Sequence, residues 1–170
     1  MNNHLSFFTD FQSKLYNEYG YTMDKLNPTM NYWFYDRLSQ RRTYREIGYH
    51  NYHVHYASRF NELRHKVKKI LEIGVFRGHS MLMWQDYFPN AEILGLDIVK
   101  HDNIDDLDRI KIDWLDQSKR DLVIEYSSKL KDYDFIIDDG SHNVYDQQIT
   151  FAHFFKSLKS GGIYVLEDLH

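Results

Sequence analysis

Hydrophobic positions along the chain follow two rhythms. Through about residue 48 they recur every three or four residues. Leu5, Phe8, Phe11, Leu15 and Tyr19 fall on one face of a helix that Gly20 stops. After a break at Asn27-Pro28, a second helix is expected over 30–42, carrying Trp33, Phe34 and Leu38 and ending in Arg41-Arg42. From Val67 onward, short apolar runs alternate with helical stretches. Strands are expected at 69–74, 93–98, 109–113, 133–138 and 163–167, with helices at 80–88, 120–130 and 147–158 between them. The last helix presents Phe151, Phe154, Phe155 and Leu158 on one side and is capped by Gly161-Gly162. Strict alternation of this kind predicts an α/β fold, a Rossmann-like doubly wound parallel sheet with helices on both faces. The core is expected over 49–170, behind an aromatic-rich helical extension over 1–48.

Composition narrows the function classes. A length of 170 residues suits one domain, and 42% hydrophobic with 27% charged residues is ordinary globular usage. The absence of cysteine excludes a disulfide framework, a thiolate metal site and a cysteine nucleophile. A formal charge of −4 without a basic block argues against nucleic acid as partner. No apolar run approaches the roughly 18 residues of a membrane span, so a soluble, cytoplasmic protein with no membrane partner is expected. Aromatics reach 16% and crowd the first 60 residues, where they serve either a binding surface or the core. Arg41-Arg42 reads as a solvated last helical turn, where positive charge suits the dipole.

In open parallel sheets the ligand lies beyond the carboxyl ends of the strands, so the residues just past each strand locate the chemistry. The first strand runs out through Glu72-Ile73-Gly74 toward Gly78, and the second ends at Asp97, 23 residues beyond Gly74. A glycine turn lets backbone approach a ligand, and an acid about 20 residues on accepts hydrogen bonds from ribose hydroxyls. The G-x-G-x-x-G pattern is absent, and Phe76 and Arg77 stand where a pyrophosphate needs bare backbone. That favours a nucleoside ligand without phosphates, such as S-adenosylmethionine, over a dinucleotide. The fourth strand ends in Asp138-Asp139-Gly140-Ser141-His142, and the fifth in Glu167-Asp168. Oxygen-rich clusters suit hard cations such as Mg²⁺, and a neighbouring histidine can take a proton from a substrate hydroxyl. The competing reading, strong for Asp138 by itself, is that strand-end carboxylates cap the next helices along the chain.

These residues carry a resemblance. Leu71-Glu72-Ile73-Gly74-Val75 with Gly78, the run from Met83 to Ala91, and Gly95-Leu96-Asp97-Ile98 resemble class I S-adenosylmethionine-dependent methyltransferases. Asp116-Gln117, the segment Ile136 to His142, and Gly161-Gly162 through Glu167-Asp168 are similar to the metal-dependent macrocin- and mycinamicin-type sugar O-methyltransferases. The resemblance covers about residues 50–168. It implies S-adenosyl-L-methionine and Mg²⁺ as cofactors and a sugar-containing small molecule as methyl acceptor. It implies that Glu72, Gly74, Gly78 and Asp138 line the cofactor pocket, that Asp97 holds the ribose, and that Asp116 and Gln117 lie near the adenine. It further implies that Asp139, Glu167 and Asp168 ligate the metal and that His142, beside Asp139, is the general base.

The family fold continues past a fifth strand, whereas this sequence stops at His170. Either a truncated chain or a homo-oligomer covering the edge of strand 163–167 is therefore expected. His50, His53 and His55 are close enough in sequence to suggest metal ligation, but packing or a lid over the cofactor is the stronger expectation. Two alternatives to sugar O-methylation stay open: a divergent member with another reaction, as in a hydroxylase-named branch, and a cofactor-binding core without turnover.

Overall fold

The computed structural model describes residues 59–76, 78–99 and 108–169. The helices expected over 1–48, Arg41-Arg42, Arg77 and the histidines at 50, 53 and 55 lie outside these residues. The described residues divide into two compact units, 59–65 with 78–89, and 66–76 with 90–99 and 108–169.

The smaller unit is built on helix α1 (His79–Tyr87) and a 3₁₀ turn at Asn61–Leu63. Its interior is aromatic. Phe60 sits edge-on to Trp84 with ring centres 6.2 Å apart and tilts against Phe88 at 5.8 Å. Arg64 closes the cluster, donating from Nε to the Tyr87 carbonyl at 2.8 Å while its guanidinium lies over the Tyr87 ring.

The larger unit holds β1 (Lys69–Ile73), β2 (Glu92–Asp97), β3 (Ile110–Trp114), α2 (Arg120–Ser127), β4 (Tyr133–Asp138), α3 (Val144–Phe154) and β5 (Leu158–Leu166). The five strands form one parallel sheet in the order β3-β2-β1-β4-β5. Leu71, Ile73, Leu96 and Ile136 pack with Val123 of α2 and Phe154 of α3 in one core. Ile70, Ile93, Phe135 and Ile137, alternating with them, are buried as well. Burial of successive residues explains why these strands read as continuous apolar runs.

The last crossover departs from the expectation. Asn143 starts α3 early, its side-chain oxygen accepting from the amides of Tyr145 and Asp146, and the helix ends at Phe154. A 3₁₀ turn comes next, and β5 opens at Leu158 instead of Ile163. Gly161-Gly162 therefore lies within β5 and caps no helix. Pairing passes from Tyr133↔Leu158 to Phe135↔Ile163, so β5 advances five residues while β4 advances two. Asp134 anchors the irregular start. Its carboxylate accepts from the amides of Lys68 and Lys69 at 2.7 and 3.0 Å and pairs with Lys159.

Candidate functional site

Because every strand is parallel, all five carboxyl ends share one edge. The chain runs outward from β1 through β2 to β3, then returns to the other side of β1 with β4. The strand order thus reverses between β1 and β4, the position where ligands bind in such sheets.

Gly74 leaves β1 at that point with φ 87°. A Cβ there would lie 2.6 Å from the Asp139 carbonyl carbon and 2.7 Å from Gly140 Cα, so backbone meets backbone with no room for a side chain. Asp97 fixes the next turn. One carboxylate oxygen accepts from the amides of Val75 and Phe76 at 2.7 and 2.8 Å, and the other from Val99 at 2.8 Å. An acid at the end of β2 therefore closes the loop leaving β1.

Across the reversal, the Asp139 amide donates to the Ile73 carbonyl at 2.8 Å and the Glu167 amide to the Asp138 carbonyl at 3.0 Å. These bonds carry the ends of β4 and β5 together. Asp139, His142 and Asp168 each place a ligand atom within 4.8 Å of the others, with His142 Nε2 3.8 Å from Asp139 Oδ1. His142 and Asp168 both adopt left-handed backbone, φ 56° and 49°, which non-glycine residues hold at a cost and which clusters at functional sites. His142 Nδ1 is buried without a hydrogen-bond partner. Two carboxylates and an imidazole, with an unsatisfied ring nitrogen among them, fit a hard divalent cation and a proton acceptor beside it. Glu167 is buried next to Asp168 but lies outside the 4.8 Å group.

Behind this cluster Asp138 is wholly buried. It accepts from Gln117 Nε2 at 2.8 Å, and the Tyr164 hydroxyl faces it. Burial raises its pKa to about 6, against the opposing pull of Gln117, the Gly140 amide and Tyr164. Burial, and next the Asp138 charge, push the Tyr164 hydroxyl up as well. A folded-state pKa above the unfolded value stabilises the protein below the unfolded pKa, and the stabilisation is lost as pH rises through the folded pKa. Wild type should thus lose about 2 kcal/mol relative to Asp138→Asn between pH 4 and pH 7, measured by urea denaturation across that range. Parallel pH profiles for the two proteins would show that Asp138 titrates normally.

The other expected residues take varied places. Glu72 is buried in β1, in register with Gly95 and Ile137. Asp116 uses Oδ1 in a local turn, accepting from the Ser118 amide and hydroxyl. Gln117 is buried, its amide nitrogen shared between Asp138 and Thr150. Gly78 belongs to the smaller unit, where it precedes α1 at φ 78°. Sequence reasoning gave no ligand-binding role to the apolar residues that the sheet edge exposes: Phe76, Ile98, Val99 and Trp114, each more than half exposed. The Trp114 indole donates to the Ile98 carbonyl at 2.9 Å, tying the ends of β2 and β3. The available signal was the apolar pair directly after Asp97.

No protein-family model matches the chain. Curated relatives do. Mycinamicin VI 2''-O-methyltransferase from Micromonospora griseorubida is 34% identical over 140 residues, 78% of this chain and 35% of that protein. Demethylmacrocin O-methyltransferase from Streptomyces fradiae is 32% identical over 127 residues, 71% of this chain and 32% of that protein. The chain is a homologue of the sugar O-methyltransferases. Among solved structures, the MycE methyltransferase of the mycinamycin pathway, in complex with Mg, SAH and mycinamycin VI, superposes with a TM-score of 0.63. It is 34% identical, with 69% of this chain and 32% of that one covered. The Rossmann-like sheet described above thus matches the sheet of the MycE methyltransferase. The chain spans about a third of the length of the relatives it matches. Among the described residues no helix is long and apolar enough to cross a membrane.

Proposed function

We propose that this chain forms the S-adenosylmethionine- and Mg²⁺-binding core of an O-methyltransferase acting on a sugar hydroxyl of a glycosylated small molecule in the cytoplasm. The observation that carries the reading is the convergence of Asp139, His142 and Asp168 on the sheet edge where Asp97 clasps the glycine turn. Relatives named for mycinamicin, macrocin and tetracenomycin sugars supply the acceptor class.

In this reading the Gly74 turn, Glu72 and Asp138 shape the cofactor pocket. Asp97 Oδ1, which has one amide partner, accepts from the ribose. Ile98 and Trp114 offer apolar surface to the adenine, next to Asp116. Asp139 and Asp168 would hold the Mg²⁺. The bound ion supplies a lowered pKa at the acceptor hydroxyl. His142 takes the proton, as the hydroxyl oxygen forms a bond to the methyl carbon and the carbon–sulfur bond breaks in line. The products are a methyl ether and S-adenosylhomocysteine. The protein's work is orientation of the two reactants and management of charge at the oxygen.

The test is incubation of the chain with S-adenosylmethionine, Mg²⁺ and a panel of glycosylated acceptors, rhamnosides included. A sugar methyl ether whose formation stops on chelation is the expected product. Consumption of cofactor with a different product would assign the chain to another reaction. Asp97→Ala should weaken S-adenosylmethionine binding by about 1.5–3 kcal/mol, the worth of a hydrogen bond to a charged group. An unchanged Kd would place the ribose elsewhere.

A further inference from the structure

The group of Asp139, His142 and Asp168 is assembled from two separate turns, one after β4 and one after β5. Ligand groups so divided need something outside the group to fix the spacing between the turns. A buried glutamine stands behind each.

Gln117 holds the first turn. Its Oε1 accepts from the Ser141 amide at 2.7 Å, and its Nε2 donates to Asp138 Oδ1 at 2.8 Å and Thr150 Oγ1 at 3.0 Å. Thr150 in turn donates to the Asp146 carbonyl at 2.7 Å, so the amide is locked from both ends. A Cβ at Gly140 would sit 3.0 Å from Gln117 Cδ, so the turn carrying Asp139 and His142 rests directly on the carboxamide plane. Gln147, buried in α3, holds the second turn, donating from Nε2 to the Glu167 carbonyl at 3.0 Å. The peptide it grips leads directly into Asp168. The Gln147 Oε1 has no hydrogen-bond partner, so the side chain engages through its donor alone.

We propose that Gln117 and Gln147 are positioning residues that hold the two turns of the metal group at ligand spacing, Gln117 serving in this way and not as an adenine contact. The proposal rests on the metal-site reading above, and its test separates the two.

Mn²⁺ is titrated into the full chain and followed by loss of the free-ion electron paramagnetic resonance signal. S-adenosylhomocysteine affinity and the melting temperature are measured on the same samples. Gln147→Met keeps the volume and removes the donor, and Gln117→Leu removes the whole network. Each is expected to weaken Mn²⁺ binding about 10–100-fold and to broaden the bound-ion spectrum, with S-adenosylhomocysteine affinity within a few-fold of wild type. If Gln117→Leu does not fold, Gln147→Met alone decides. Wild-type Mn²⁺ affinity in the folded variants would overturn the proposal. So would a matching loss of S-adenosylhomocysteine affinity in Gln117→Leu, which would make that residue a cofactor contact. A wild-type chain that binds S-adenosylhomocysteine but no Mn²⁺ would refute the metal-site reading itself, and the positioning role with it.

Discussion

Asp139→Ala is expected to lower methyl transfer by about 10³-fold or more, the several kcal/mol that a cation contributes at an oxygen carrying developing charge. The reason lies in where the carboxylate stands. Its oxygen is 3.8 Å from His142 Nε2 and in the same group as Asp168, so its loss removes a ligand and alters the charge beside the base. The main-chain contacts of residue 139 survive the change, because the amide bond to Ile73 and the approach to Gly74 involve backbone. Cofactor affinity should therefore stay within a few-fold of wild type, as the Asp97 clasp lies two strands away on β2. Turnover with an active acceptor and calorimetric binding of S-adenosylhomocysteine check both halves. Equal loss of cofactor binding would contradict a metal group distinct from the nucleoside pocket.

Gly74→Ala should act in the opposite pattern, damaging everything at once. The φ of 87° costs an alanine roughly 1–2 kcal/mol, and forcing a methyl against the Asp139–Gly140 backbone adds about 1–3 kcal/mol. Neither neighbour is a flexible side chain, so relief requires moving the end of β1 away from the turn after β4. Stability should drop by about 3 kcal/mol, with cofactor and metal affinity falling together. Urea denaturation and paired titrations measure this. A variant with wild-type stability would mean that the two strand ends are not packed as described.

Much of the fold was legible because each parallel strand is buried on both faces and reads as an apolar run between helical stretches. β4, with all six residues buried, was placed to the residue. The last crossover was not, for local reasons. Asn143 is a strong helix start whose signal was overlooked, and the Phe151, Phe155 stripe suggested a longer core-facing helix. Phe151 and Phe155 are in fact 39% and 51% exposed and stack against Tyr164 of β5. A register jump between Tyr133 and Phe135, beside the Asp134–Lys159 pair, leaves no periodic trace.

Within the site, the strand-end acids were readable because topology sends every carboxyl end to one edge. Asp139 and Asp168 reach the same edge for that reason. His142 joins them through left-handed backbone, which a non-glycine residue does not advertise. Gln147 carries no signal in a sequence, since a buried glutamine in a helix matters through one carbonyl it grips 20 residues away. The exposure of Ile98, Val99 and Trp114 comes from their place at the carboxyl ends of β2 and β3, which an apolar run does not reveal.

The most direct test of the central claim is calorimetric titration of S-adenosylmethionine into the folded chain, with and without Mg²⁺. Micromolar binding in both conditions, weakened about 10–100-fold in Asp97→Ala and kept in Asp139→Ala, is the predicted result. A folded chain that binds neither the cofactor nor the ion would contradict the account.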